Sequence, residues 1–82
     1  MKTLRSRGHR VLLAVLVEVR REAGFTQRDL AARLKLPQSY VSKIETAERR
    51  IDPVECREWA RACGITPKAF WAKLEAAMDR RF

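Results

Sequence analysis

The 82-residue chain has little of what builds disulfide, metal or membrane architecture. It has two cysteines, Cys56 and Cys63, and one histidine, His9. On one helix those cysteines would lie about 10 Å apart along the axis, too far to bridge. Two cysteines and one histidine without ligand spacing make no zinc pattern. No nucleophile–base pair stands out, so no reaction can be assembled. No metal, no cofactor and no enzymatic activity are therefore expected. The longest apolar run, Val11 to Val17, falls well short of the roughly 20 residues of a membrane span. No small-residue cleavage site follows it, and Glu18, Arg20, Arg21 and Glu22 come at once, so it does not read as a secretory signal. The cytoplasm is the expected location. The length allows one core and not two.

Basic charge is plentiful. Eighteen Lys and Arg against ten Asp and Glu leave a net charge of +8. Such an excess on a small folded chain points to a polyanion, either nucleic acid or an anionic membrane surface, or else to a basic but inert surface. The excess is uneven. Residues 1–17 carry +4, residues 26–50 carry +3, and residues 51–82 only +1.

Punctuation along the chain marks five helices and no strand. The first is expected from Gly8 or His9 to Ala23, with Leu12, Leu16 and Val19 inward and Gly24 ending it. Thr26 and Asp29 make a capping-box-like start for the second, and Phe25 and Leu30 have the spacing of a hydrophobic staple. Its inward residues are Leu30, Ala31 and Leu34. Pro37 breaks the chain and opens a third helix, Gln38 to about Thr46. That helix buries Val41 and Ile44 and turns Gln38, Ser39, Ser42, Lys43 and Thr46 outward. Asp52-Pro53-Val54-Glu55 starts a fourth, burying Cys56, Trp59, Ala60 and Cys63 before Gly64. Thr66-Pro67 starts a fifth, about 67–79, with Phe70, Trp71, Leu74, Ala77 and Met78 on one broad face. The domain division is a basic arm over 1–8 and one helical domain over 9–82.

Two short helices joined by three or four residues, the second polar outside, describe a helix-turn-helix. A helix fits the major groove, where each base pair shows a distinct donor and acceptor pattern. The run Phe25-Thr26-Gln27-Arg28-Asp29-Leu30-Ala31, then Leu34, then Val41-Ser42-Lys43-Ile44-Glu45, resembles the Cro/phage-repressor helix-turn-helix known as the XRE family. The resemblance is best over Arg20 to Ile65. It implies an all-α, five-helix, lambda-repressor-like domain that binds double-stranded DNA, usually as a homodimer on a palindromic operator.

The resemblance also implies roles for single residues. Gln38, Ser39 and Lys43 match base-reading positions; a Gln suits adenine and a Lys suits guanine. Tyr40 and Ser42 stand at the border of that set, and Tyr40 could meet a thymine methyl or a phosphate, or pack at the helix edge. Gln27 matches a phosphate contact at a helix N-terminus. Arg49 and Arg50 match a basic loop that holds the DNA backbone, and Arg28 and Thr46 are further phosphate candidates. Arg28, Arg33 and Lys35 either touch phosphate or keep the surface soluble. Arg20 and Glu45 match a buried ion pair that serves architecture. Lys35 and Ala47 stand where relatives often have Gly; a left-handed backbone there would cost about 1 kcal/mol. His9 reads as exposed or as a phosphate neighbour. Lys2, Arg5, Arg7 and Arg10 form either a solvated tail or a backbone contact.

Helices one and five look oversupplied with apolar residues. Either they pack on each other or one meets a partner. A homodimer centred on helix five is expected, through Phe70, Trp71, Leu74 and Met78, with helix one a possible contributor. The expected function is a transcriptional regulator of repressor-like type, with activation and repression not distinguished by the sequence. The alternatives are an antitoxin or other protein-interaction module (with a toxin or a polymerase subunit as partner), a restriction–modification controller, and a nonspecific nucleoid-type binder.

Overall fold

The computed structural model describes residues 6–81, so Lys2 and Arg5 of the arm and the terminal Phe82 lie outside the described residues. The described residues form five helices: α1 (Arg7–Glu22), α2 (Gln27–Leu34), α3 (Gln38–Glu45), α4 (Pro53–Ala62) and α5 (Pro67–Arg81). Among the described residues there is no strand. α1 starts slightly ahead of expectation because Ser6 caps it, its hydroxyl accepting from His9 N–H at 3.1 Å. α5 runs on past the expected Asp79.

Local chemistry sets the other boundaries. Thr26 and Asp29 form a complete capping box, with bonds of 2.9 and 3.0 Å. Asp52 and Glu55 form a second, at 2.7 and 3.0 Å. The first four helices all end with one hydrogen-bond pattern. The N–H of the left-handed residue returns to the carbonyl three residues back, and the next N–H to the carbonyl five back. Gly24, Lys35, Ala47 and Gly64 hold the left-handed positions, with φ of 82°, 60°, 66° and 83°. Glycine reaches that region freely. Lys35 and Ala47 do not, so both turns of the helix-turn-helix unit carry backbone strain of about 1 kcal/mol each.

The core is continuous. α1 packs on α5 and α3, α2 on α3 and α4, and α4 on α5. Trp59 is fully buried at the centre and donates its indole N–H to the Leu16 carbonyl at 3.1 Å. Leu16, Leu30, Val41 and Ile44 are likewise sealed from water. Burying a side chain of this size stabilises the fold by roughly 1.5–3 kcal/mol.

Two faces differ from expectation. α1 buries Val11, Leu13, Val15, Leu16 and Val19, while Leu12 is only half-buried. Its buried arc is broad because two helices flank it. α5 sends Phe70, Leu74 and Ala77 into the core, whereas Trp71 stays 59% exposed. Residues 70, 74 and 77 repeat at helical spacing; Trp71 is rotated about 100° away. Phe70 and Leu74 therefore pack chiefly into the core. Cys63 is buried and Cys56 half-buried, and burial pushes both thiols up to about 11.

Candidate nucleic-acid interface

The interface is built on α3, whose eight residues span about 12 Å. Val41 and Ile44 are 0% exposed and pin one side of this helix to the core. The opposite side presents Gln38, Ser39 and Lys43 to solvent, while Ser42 is half-buried. Among the described residues neither Lys43 nor Arg50 is ion-paired, so both charges remain available to a partner.

The height and tilt of α3 are held by Arg20. Its Nε and one terminal nitrogen donate to the Glu45 carboxylate at 2.8 and 3.1 Å. Its other terminal nitrogen donates to the Phe25 carbonyl at 2.7 Å. Gln27 adds a bond from Nε2 to Glu45 at 2.8 Å. One buried ion pair thus ties α1, the α1–α2 loop, the start of α2 and the end of α3 together. Gln27 uses one amide proton inside the chain; its second amide proton and its backbone N–H at the start of α2 remain for an anion.

The other residues expected near phosphate have varied surroundings. The Thr46 hydroxyl lies against the Ser42 carbonyl at 2.9 Å and the Glu48 carboxylate at 2.7 Å. It has one proton to give, and the chain itself offers both acceptors. Arg33 donates to the Ala62 carbonyl at 2.9 Å and lies over the Phe25 ring at 4.8 Å, closing the end of α4. Arg28 and Lys35 are exposed. His9 is half-buried, with Nε2 shut off from solvent and from hydrogen-bond partners. Burial, then the Arg50 charge, hold its pKa below the ordinary histidine value.

Arg49 and Arg50 are neighbours with opposite surroundings. Arg50 is exposed. Arg49 grips Glu55 with both terminal nitrogens, at 3.2 and 2.9 Å, and lies over the Tyr40 ring at 4.8 Å. Tyr40 is half-buried under it, and burial first, then Glu55, pushes its phenol up to about 12. Glu55 carries no site role in the sequence reading beyond its cap. Its only sequence signal is that a capping-box carboxylate has a second oxygen to offer.

A pinned helix with a polar outer face, set on a bracing helix by a tight turn, defines a helix-turn-helix protein. A helix-turn-helix family model matches residues 16–70, and the chain belongs to that family, in its XRE-type branch of DNA-binding transcription regulators. Among solved structures it is similar to an XRE-family like protein from Pseudomonas syringae pv. tomato str. DC3000. The two are 49% identical, the match covers 92% of each chain, and the TM-score is 0.80. No curated protein matches the chain. No helix among the described residues is long and apolar enough to cross a membrane.

Proposed function

We propose that this protein is a sequence-specific regulator that binds a palindromic operator in double-stranded DNA as a homodimer, with α3 in the major groove. The observation that carries this reading is the two-sidedness of α3: Val41 and Ile44 sealed, Gln38, Ser39 and Lys43 free. In this reading Gln38 pairs with adenine and Lys43 reaches guanine, with Ser39 beside them. Arg50, Arg28 and the start of α2 at Gln27 are the phosphate contacts. Two recognition helices would enter successive major grooves about 34 Å apart. Occupancy would follow protein concentration through dimerisation, without catalysis and without a cofactor. The arm over residues 1–8 carries three further basic residues, Lys2, Arg5 and Arg7.

The exposed side of α5 supports the dimer. Lys68, Trp71, Ala72, Glu75, Ala76 and Asp79 are all exposed. Run antiparallel about a two-fold axis, this face sets Lys68 of one copy opposite Asp79 of the other and Trp71 against small alanines. An apolar groove of about 310 Å³ lined by Leu12, Cys56, Phe70 and Trp71 adjoins it. The same surface supports the second reading, in which a protein such as a toxin or a polymerase subunit docks there.

Selection of bound sites from random duplex DNA tests the main reading. The expected result is a palindrome with fixed half-site spacing and a specificity ratio of about 10³ or more over random DNA. A pool that never enriches would reject sequence-specific binding.

A further inference from the structure

The geometry assigns Arg49 the role of a positioning residue that sets the α3–α4 loop so that Arg50 alone is the loop's phosphate contact. This inference rests on the DNA-binding reading and deepens it. Sequence gives no way to tell the two arginines apart, since both are basic, adjacent and in the same loop.

The recorded hydrogen bonds of the Arg49 terminal nitrogens all go to the chain itself, with the side chain 41% exposed. One terminal nitrogen donates to the Arg50 carbonyl at 2.8 Å and to Glu55 at 3.2 Å. The other donates to Glu55 at 2.9 Å. The guanidinium plane covers Tyr40 of α3. Arg49 therefore touches the recognition helix, the backbone of Arg50 and the first turn of α4 at once. Glu55 is held in turn by the Asp52 N–H in the α4 capping box. The loop is thereby tied at both ends.

The chemistry favours arginine at this position. Its planar fork makes two parallel bonds to a carboxylate while its face stacks on an aromatic ring, and lysine can do neither. Swinging the Arg49 guanidinium away to a phosphate would break the Glu55 pair and uncover Tyr40. Arg50 has no such ties, and its charge is free for a phosphate.

Salt dependence separates the two roles, because each neutralised phosphate contributes about 0.9 to the slope of log K against log salt. Binding of a mixed-sequence DNA duplex is measured across salt for wild type, Arg49→Lys, Arg49→Ala, Arg50→Ala and Glu55→Gln, with folding checked by circular dichroism. Glutamine still serves a capping box, so Glu55→Gln removes the charge and keeps the cap. The expected result is that Arg50→Ala lowers the slope by about one unit. Arg49→Lys and Arg49→Ala should each weaken binding several-fold with the slope unchanged. Glu55→Gln should also weaken binding. Wild-type affinity and slope in Arg49→Lys, a slope reduced by about one in Arg49→Ala, or tighter binding with a steeper slope in Glu55→Gln would each overturn the assignment. Failure of wild type to bind the duplex would instead reject the DNA-binding reading on which it rests.

Discussion

Arg20 and Glu45, 25 positions apart, are joined by two hydrogen bonds of 2.8 and 3.1 Å, with side chains only 9% and 5% exposed. α1 and α3 are locked through this pair, and with them the angle at which α3 stands off the core. Removing one partner strands a buried charge. Arg20→Met should destabilise the protein by about 3–5 kcal/mol, read as a lower urea midpoint at unchanged m-value. Replacing both residues by apolar ones of similar volume should recover much of that loss. A single-mutant loss under about 1 kcal/mol would show that the pair does not brace the fold.

The two strained turns can be relieved. Lys35 and Ala47 occupy left-handed backbone that glycine adopts without penalty. Lys35→Gly and Ala47→Gly should each raise stability slightly, by up to about 0.5 kcal/mol, once strain relief is set against the greater freedom of glycine in the unfolded chain. Gly24→Ala and Gly64→Ala should move stability the other way, since both positions have positive φ. No atom lies within 4 Å of a Cβ added at either glycine, so the expected loss there is purely conformational. Thermal melting of the four variants tests the sign of each.

Lys43 faces solvent on the proposed reading surface, pointing away from Val41 and Ile44. Lys43→Ala should relax preference at one base position per half-site, at a cost of roughly 1–3 kcal/mol for the preferred operator. Binding to a panel of single-base operator variants measures this. If Lys43→Ala keeps the full preference at every position, Lys43 does not read bases.

The two tryptophans report separately. Trp59 is fully buried and hydrogen-bonded, while Trp71 is 59% exposed. An aqueous quencher should reach Trp71 and spare Trp59. In the homodimer reading, quenching falls as protein concentration rises, and Trp71→Ala abolishes that change while keeping the fold. Sedimentation that finds only single chains at micromolar concentration, with and without DNA, would remove the homodimer.

Acid should loosen the Arg49–Glu55 contact. Arg49 first, then the Asp52 N–H and the Tyr40 hydroxyl, hold the Glu55 carboxyl below the ordinary carboxylate range, against the opposing effect of burial. A carboxyl lowered in the folded state adds stability that is complete above its unfolded pKa. That stability is lost as pH falls through the lower folded value. The stability gap between wild type and Glu55→Gln should therefore be constant from neutral pH down to about 5 and shrink from there towards about pH 2. Denaturation midpoints measured across that range give the gap; a constant gap throughout would mean that the ion pair adds nothing.

Much of this molecule is written in local signals. Caps at Thr26 and Asp52, stops at Gly24 and Gly64, and Pro37, Pro53 and Pro67 work through bonds reaching three to five residues, so the helix boundaries can be read along the chain. The same holds for the inward pair Val41 and Ile44, and hence for the outward set Gln38, Ser39 and Lys43. Lys35 and Ala47 stand out at the glycine positions of their turns, though the sign of φ there is a property of the fold. What sequence leaves open is every choice made by docking between elements. α1 is apolar around more than half its circumference, and only the flanking α3 and α5 decide that Leu13 is buried and Leu12 half-exposed. Phe70 and Trp71 are adjacent aromatics, and the placement of α5 against α1 and α4 sends one inward and leaves the other in water. Arg49 and Arg50 are the sharpest case. Their composition and spacing are equivalent, and they part company because the fold brings the Glu55 carboxylate and the Tyr40 ring to one of them. Helices follow from bonds between near neighbours, whereas the fate of a side chain on a helix face or in a loop follows from what the rest of the chain sets against it.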